Sequence, residues 1–93
     1  MALKGDTVRL EVKFMDFDGN IVEPSNVTLS MYDNSNTAIQ SILLTADNRT
    51  GIGSYYYDYV IPFAIEEFFI YEFRGLHRER PILARDKIHV EFV

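Results

Sequence analysis

Two aromatic segments with alternating inward and outward positions constrain the fold of this chain most strongly. Residues 51–62 read Gly-Ile-Gly-Ser-Tyr-Tyr-Tyr-Asp-Tyr-Val-Ile-Pro, and residues 68–73 read Phe-Phe-Ile-Tyr-Glu-Phe. Aromatic side chains fit a pleated, half-buried surface, and the flanking glycines and proline mark strand ends, so both segments are predicted to be β-strands. If Asp58 and Glu72 face water, the alternation predicts an inward set consisting of Tyr55, Tyr57, Tyr59, Phe69, Tyr71 and Phe73.

The same two-residue period recurs in other segments and predicts further strands over residues 7–14, 27–32 and 84–92. The short apolar run over residues 38–44 also suits a strand, with a single helical turn as the alternative. Glycine and asparagine tolerate positive φ, so Asp18-Gly19-Asn20 predicts a hairpin turn that leads into a short strand at Ile21-Val22. The inward residues predicted for these strands include Val8, Leu10, Val12, Phe14, Val27, Leu29, Met31, Ile88, Val90 and Phe92.

The connections are predicted from glycine, proline and charge. Residues 46–53 are expected to form the longest polar connection, and residues 62–67 a single helical turn that begins at Pro62. Gly75 is expected to end the second aromatic strand, with a charged loop continuing through Pro81.

About seven short strands without a convincing helix are typical of a β-sandwich. We therefore predict an all-β protein in which residues 1–93 form a single antiparallel sandwich, with a small open barrel as the alternative. Because the chain has no cysteine, neither disulfides nor thiolate ligands can stabilise the fold.

Charge and hydropathy exclude several classes of function. The net charge of −5 opposes a phosphate backbone, so no nucleic-acid partner is expected. The basic residues cluster only between His77 and Arg85, where Glu79 interrupts them, and this cluster is interpreted as a solvated loop. No apolar run is long enough to cross a bilayer, and the N-terminal residues lack the pattern of a signal peptide. We therefore expect no membrane association and no export.

The chain also resembles a known group of domains, the bacterial and bacteriophage immunoglobulin-like or macroglobulin-like modules. The segments that carry the resemblance, in chain order, are Gly5-Asp6-Thr7-Val8, Asp16-Phe17-Asp18-Gly19-Asn20, Tyr32-Asp33, Gly53-Ser54-Tyr55-Tyr56-Tyr57 and Ile61-Pro62. The resemblance implies a single immunoglobulin-like β-sandwich. A module of this size is similar to the small accessory proteins encoded among bacteriophage head and tail genes.

The residues that could bind a metal or catalyse a reaction are better interpreted as turn, surface or helix-start residues. Asp16, Asp18 and Asn20 resemble the start of a calcium loop, but Val27 stands where the loop needs its bidentate glutamate. His77 and His89 are interpreted as surface residues, and no metal or cofactor is expected. Ser54 lacks a nucleophile elbow, and Glu66-Glu67 is explained by the start of a helical turn, so the chain is predicted not to be an enzyme.

The functional prediction is an interaction surface. Alternation leaves an apolar set on the side of the strands opposite the core, and several such residues on neighbouring strands would mark a protein contact. We expect a protein partner, a phage structural protein or a second copy bound through an edge strand, and a location in the virion or the bacterial cytoplasm. The alternative is a carbohydrate-binding module that uses Asp58, Glu72 or Asn48. The candidate interface residues are Tyr32, Tyr56, Val60, Phe68 and Ile70.

Overall fold

Extended segments of aromatic and β-branched residues make up most of the chain. The computed structural model describes residues 2, 3, 5–62, 65 and 67–91, and these contain eight strands. In chain order the strands are β1 (Ala2–Leu3), β2 (Thr7–Lys13), β3 (Ser25–Tyr32), β4 (Ala38–Leu43), β5 (Arg49–Gly51), β6 (Ser54–Val60), β7 (Phe68–His77) and β8 (Arg80–Glu91).

The strands form two sheets, one in the order β1-β8-β7-β3-β4 and the other in the order β2-β6-β5. Every pairing is antiparallel except that of the short β1 with the end of β8. The prediction of an all-β antiparallel sandwich is confirmed. Immunoglobulin sandwiches place strands B, E and D in one sheet and C, F and G in the other, with C′ beside C in variable-type domains. The order β2-β6-β5 facing β8-β7-β3-β4 repeats that arrangement.

The core lies between the two sheets and follows the predicted alternation. The rings of Tyr59 on β6 and Phe69 on β7 meet across it with their centroids 5.3 Å apart. Tyr57 and Tyr71, which were also predicted to point inward, are half-buried and pack against the same cluster. Phe92 lies outside the described residues. The largest fully buried side chains are Leu10, Phe14, Leu29, Met31, Ile61, Phe69 and Phe73.

The hairpin between β7 and β8 differs from the prediction. Gly75 does not end β7, and Pro81 is part of β8 rather than of a loop. The turn is only Arg78 and Glu79, which both have positive φ. Gly75 is buried, and a Cβ there would lie 2.5 Å from the Cβ of Pro24, so this glycine permits close packing rather than a turn. Pro81 is tolerated because β1 pairs only with the far end of β8, which leaves the outer edge at Pro81 open.

Two further connections also differ in detail. The predicted polar connection of residues 46–53 contains a short 3-10 helix, Ala46–Asn48, followed by strand β5. The predicted strand at Ile21-Val22 is only an isolated bridge between Met15 and Ile21. Part of the predicted helical turn at residues 62–67 lies outside the described residues. In the described part of the chain, no helix is long and apolar enough to span a membrane.

Candidate protein-interaction surfaces

The five candidate interface residues do not form one patch, contrary to the expectation from neighbouring strands. Tyr56 and Val60 lie on β6, in the three-stranded sheet, whereas Tyr32, Phe68 and Ile70 lie on β3 and β7, in the five-stranded sheet. Consecutive strands β6 and β7 belong to different sheets, so their outward side chains point in opposite directions. The candidates therefore occupy two outer faces on opposite sides of the sandwich.

The outer face of the three-stranded sheet is dominated by one ion pair. Arg9 donates two hydrogen bonds to Asp58, of 2.8 and 3.0 Å, and its guanidinium carbon lies 4.2 Å from the centre of the Tyr56 ring. The hydrogen bond from Arg9 lowers the pKa of Asp58 below its ordinary value. Tyr56 is thus covered by Arg9, and Val60, which is 58% exposed, is an isolated apolar residue on this face.

The outer face of the five-stranded sheet carries rows of cross-strand neighbours. Tyr32 pairs with Ile70, and in the next row Ser30 pairs with Glu72. Arg85 donates a 2.9 Å hydrogen bond to Glu72, and its guanidinium carbon lies 5.7 Å from the centre of the Tyr32 ring. These residues border a shallow groove of about 410 Å³ along β3, which is lined mainly by hydroxyl and charged groups. The face is therefore mostly polar.

Phe68 follows the same pattern as the other outward rings. The ammonium of Lys87 lies 5.1 Å from the centre of its ring, and the ring of His89 lies 6.0 Å away. Each predicted aromatic interface residue thus has a cation against its face, as Arg9 covers Tyr56. Such contacts contribute about 0.5–1 kcal/mol at exposed sites, and they reduce the apolar surface that a partner could bury.

A different apolar surface lies at one end of the sandwich. It consists of Met15, Phe17, Ile21 and Ile52, which are all exposed, and we call it the end patch. Met15 and Ile21 pair across the bridge between the two arms of a hairpin, and Phe17 at its tip is fully exposed. A Cβ on Gly53 would lie 3.0 Å from Cγ2 of Ile21, so the turn that carries Ile52 is next to this hairpin. Exposed apolar residues on adjacent turns are typical of interaction sites, so the end patch is a candidate for one.

The loop that presents Phe17 is fixed by its own hydrogen bonds. Oδ1 of Asp16 accepts the backbone N–H groups of Asp18 and Asn20, both at 2.9 Å. The N–H of Asp16 donates to the carbonyl of Asn20, and Gly19 has a φ of 83°. The hydrogen bond from Asn20 lowers the pKa of Asp16. The carboxylate that suggested a calcium loop therefore organises the turn that holds Phe17.

Glu23 holds the second part of the end patch in place. Its Oε1 accepts the N–H of Gly53 and the Nε–H of Arg49, both at 2.9 Å, and its Oε2 accepts the hydroxyl of Tyr55. Burial opposes ionisation of Glu23, but the hydrogen bonds outweigh it and lower its pKa. This carboxylate joins the turn that carries Ile52 to the segment after Ile21. The end patch is consequently a preorganised surface.

The sequence analysis missed the end patch because Phe17 and Ile52 lie in turns, where alternation carries no information about burial. Turn residues are normally polar, since they remain in water. Phe17 stands between two aspartates, and Ile52 stands between two glycines. Large apolar residues in such positions are the signal that indicates this site from sequence.

The other predicted constellations do not come together. Asp58 and Glu72 lie on opposite outer faces, and Asn48 caps its own 3-10 helix through Thr45, so the proposed sugar ligands do not converge. His77 and His89 are at opposite ends of the β7–β8 hairpin, about 30 Å apart at ~3.3 Å per strand residue. Among the residues that the structure describes, no three acidic, histidine or cysteine side chains are grouped to hold a metal ion.

The fold and the surfaces together define a β-sandwich that has immunoglobulin-type strand order and an exposed apolar end patch held by hydrogen bonds. Comparison with known proteins adds no relative, since no family model, no curated protein and no solved structure matches the chain.

Proposed function

We propose that the protein is a non-catalytic interaction module that binds a protein partner through the end patch. The observation that carries this proposal is the fully exposed ring of Phe17, at the tip of a hydrogen-bonded hairpin whose arms carry the exposed apolar residues Met15 and Ile21. Full burial of a phenylalanine side chain is worth roughly 1.5–3 kcal/mol. A residue of this kind acts as the central anchor of an interface.

The hydrogen bonds of Asp16 and Glu23 favour binding because they reduce the conformational entropy that the end patch would lose on association. Asp16 and Glu23 already hold the two turns of the end patch, so a partner does not have to order them. Asp18 is exposed beside Phe17, and the chain as a whole carries a charge of −5. The partner surface that fits this chemistry is an apolar pocket with basic residues at its edge.

The biological setting that we propose is a bacteriophage particle, in which the protein serves as a head or tail accessory or assembly factor. Its size, its resemblance to phage immunoglobulin-like modules and its strand order support this setting. In that role the protein acts in the virion or in the bacterial cytoplasm, where particles assemble.

Co-sedimentation with assembled particles tests the proposal. The particles are those encoded beside the gene, and the variants are Phe17→Ser and, as a matched control, Val60→Ser. Both side chains are exposed, so neither change should affect folding, but only Phe17 belongs to the end patch. We expect the wild-type protein and the Val60→Ser variant to co-sediment, and the Phe17→Ser variant to bind at least about ten-fold more weakly, or ~1.4 kcal/mol. Failure of the wild-type protein to co-sediment, or equal losses in both variants, would refute the proposal.

A further inference from the structure

The edge strands of the two sheets differ in how they are protected. An edge strand exposes unpaired backbone N–H and C=O groups, and proteins protect such edges with charges, proline or short length. Most of β8 has no outer neighbour, and it carries Pro81 and several charged side chains. Strand β2 has the sequence TVRLEVK, with three charged residues in seven, and β5 has only three residues. All of these edges are protected.

Strand β4 is different. Its six residues, AIQSIL, include no charge, no proline and no glycine, and all but Ile42 are exposed. Residues 40–43 pair in regular antiparallel register with β3, so the other side of this stretch of backbone faces solvent in a strand-like geometry. The register shifts at Ile39, and this irregularity is the one edge protection that β4 carries. Exposed β-strand residues of low charge on a regular edge favour addition of another strand. In the described part of the chain, β4 is the longest edge strand without a charge or a proline.

We propose that β4 pairs with the β4 strand of a second copy, antiparallel, about a two-fold axis at Ser41. Directly opposed residues in an antiparallel pair point to the same face. The two-fold axis must therefore lie between a residue and its own copy, and not between two successive residues. With the axis at Ser41, Gln40 lies opposite Ile42 of the second copy, and Ile39, which lies at the register shift just before the regular stretch, comes nearest to Leu43. Ile39 and Leu43 are both exposed apolar side chains. With the axis at Gln40, Ile39 would lie opposite serine. The sequence around Ser41 is therefore self-complementary, as a two-fold interface requires.

Charge also favours a second copy as the occupant of this edge. Two molecules that each carry a charge of −5 repel one another, but the uncharged β4 strands place no like charges opposite each other along the seam. Pairing would join the two five-stranded sheets into one continuous sheet. It would also bring together the two outer grooves, since Ser41 lines the groove and its hydroxyl lies 3.1 Å from that of Ser30.

One six-residue strand pair is smaller than a standard interface, so we expect a dimer that dissociates on dilution. Sedimentation velocity over a wide range of protein concentration tests this expectation. Ser41→Lys places two ammonium groups opposite each other at the axis and should weaken dimerisation by at least about ten-fold, or ~1.4 kcal/mol. Leu83→Lys is the matched control, because Leu83 is 57% exposed and lies on β8, at the other side of the same sheet.

A cysteine scan provides a second measurement that does not depend on affinity. Because the chain contains no cysteine, Ser41→Cys can form a disulfide only between copies. Opposed residues in an antiparallel pair are about 4.5–5.5 Å apart at Cα, which suits a disulfide. We expect mild oxidation to link the Ser41→Cys variant and to leave Leu83→Cys mostly unlinked.

The inference fails if the wild-type protein is monomeric at every concentration, if Ser41→Lys dimerises as well as wild type, or if both cysteine variants link equally. Far-UV circular dichroism must show that Ser41→Lys is folded, and otherwise the cysteine pair decides. A wild-type monomer that binds an added synthetic peptide of β4 sequence would also overturn the inference, because it would show an edge that accepts strands but not a second copy. Since the end patch uses other residues, loss of self-association and loss of particle binding are distinguishable.

Discussion

Two tyrosines of strand β6 should respond in opposite ways to loss of their hydroxyl groups. Tyr55 donates its hydroxyl to the carboxylate of Glu23, whereas the hydroxyl of Tyr59 is buried without a hydrogen-bond partner among the described residues. Tyr55→Phe and Tyr59→Phe each remove one oxygen and leave the ring in place. We expect Tyr55→Phe to destabilise the protein and Tyr59→Phe to leave its stability unchanged or to increase it.

The size of each effect follows from the surroundings of the hydroxyl. A hydrogen bond to a charged group contributes about 1.5–3 kcal/mol. The side chain of Glu23 is 38% exposed, so water can replace part of the lost bond, and we expect Tyr55→Phe to cost ~1.5 kcal/mol. A buried, unpaired polar group costs roughly 1–3 kcal/mol, so its removal in Tyr59→Phe should gain up to about 1 kcal/mol. The free energies of unfolding of the two variants should therefore differ by ~1.5–2.5 kcal/mol.

Urea unfolding and thermal melting measure this difference. For a domain of this size, 1 kcal/mol shifts Tm by about 4–8 °C, so the two melting temperatures should differ by roughly 6–20 °C. Tyr57→Phe, at a half-buried position between them, serves as the control for loss of a hydroxyl group on the same strand. If Tyr59→Phe destabilises the protein as much as Tyr55→Phe does, the reasoning from hydrogen-bond partners is refuted.

Three further changes follow from the same structure. Because the pKa of Glu23 is lowered in the folded state, ionised Glu23 should contribute fully to the unfolding free energy above the ordinary carboxyl pKa. That contribution should be lost as the pH falls through the folded-state pKa. Glu23→Gln should therefore weaken the pH dependence of the unfolding free energy when stability is measured across an acid titration. Gly53→Ala should lower the unfolding free energy by more than about 2 kcal/mol, since φ is 68° and the added Cβ would clash with the Val22 carbonyl oxygen. Gly75→Ala should cost ~1–3 kcal/mol in urea unfolding through its clash with Pro24.

Alternation in the sequence was sufficient to predict strands β2, β3, β6 and β7, most of β8, and their buried faces. Tyr55 and Tyr59 on β6, and Phe69 and Phe73 on β7, are all buried as predicted. The period of two residues is a direct consequence of strand geometry, so a clean pattern leaves little freedom in the assignment. Connections were harder to predict, because glycine serves two purposes. Gly75 was interpreted as a strand end, but it provides space for Pro24 inside a strand that continues.

The location of the outward residues could not be predicted in the same way. Alternation shows which face of its own strand a residue occupies, but not the sheet to which the strand belongs. The chain crosses from one sheet to the other between β6 and β7, so Tyr56 and Ile70 are close in sequence and lie on opposite outer faces. The cations that cover the outward rings come from other strands, as Arg9 of β2 covers Tyr56, and sequence proximity does not reveal them.

Deviations from local rules are more informative about function in this chain than the regular pattern is. A sandwich of this kind needs apolar residues inward, polar residues in turns and protected edges. Phe17 breaks the rule for turns and β4 breaks the rule for edges, although each has a cost in solubility. The structure offers neither feature a compensating contact among the described residues, whereas the outward rings of Tyr32, Tyr56 and Phe68 are compensated by cations. Uncompensated violations of this kind concentrate at functional sites, so binding should depend on Phe17 and on β4 rather than on the outward rings.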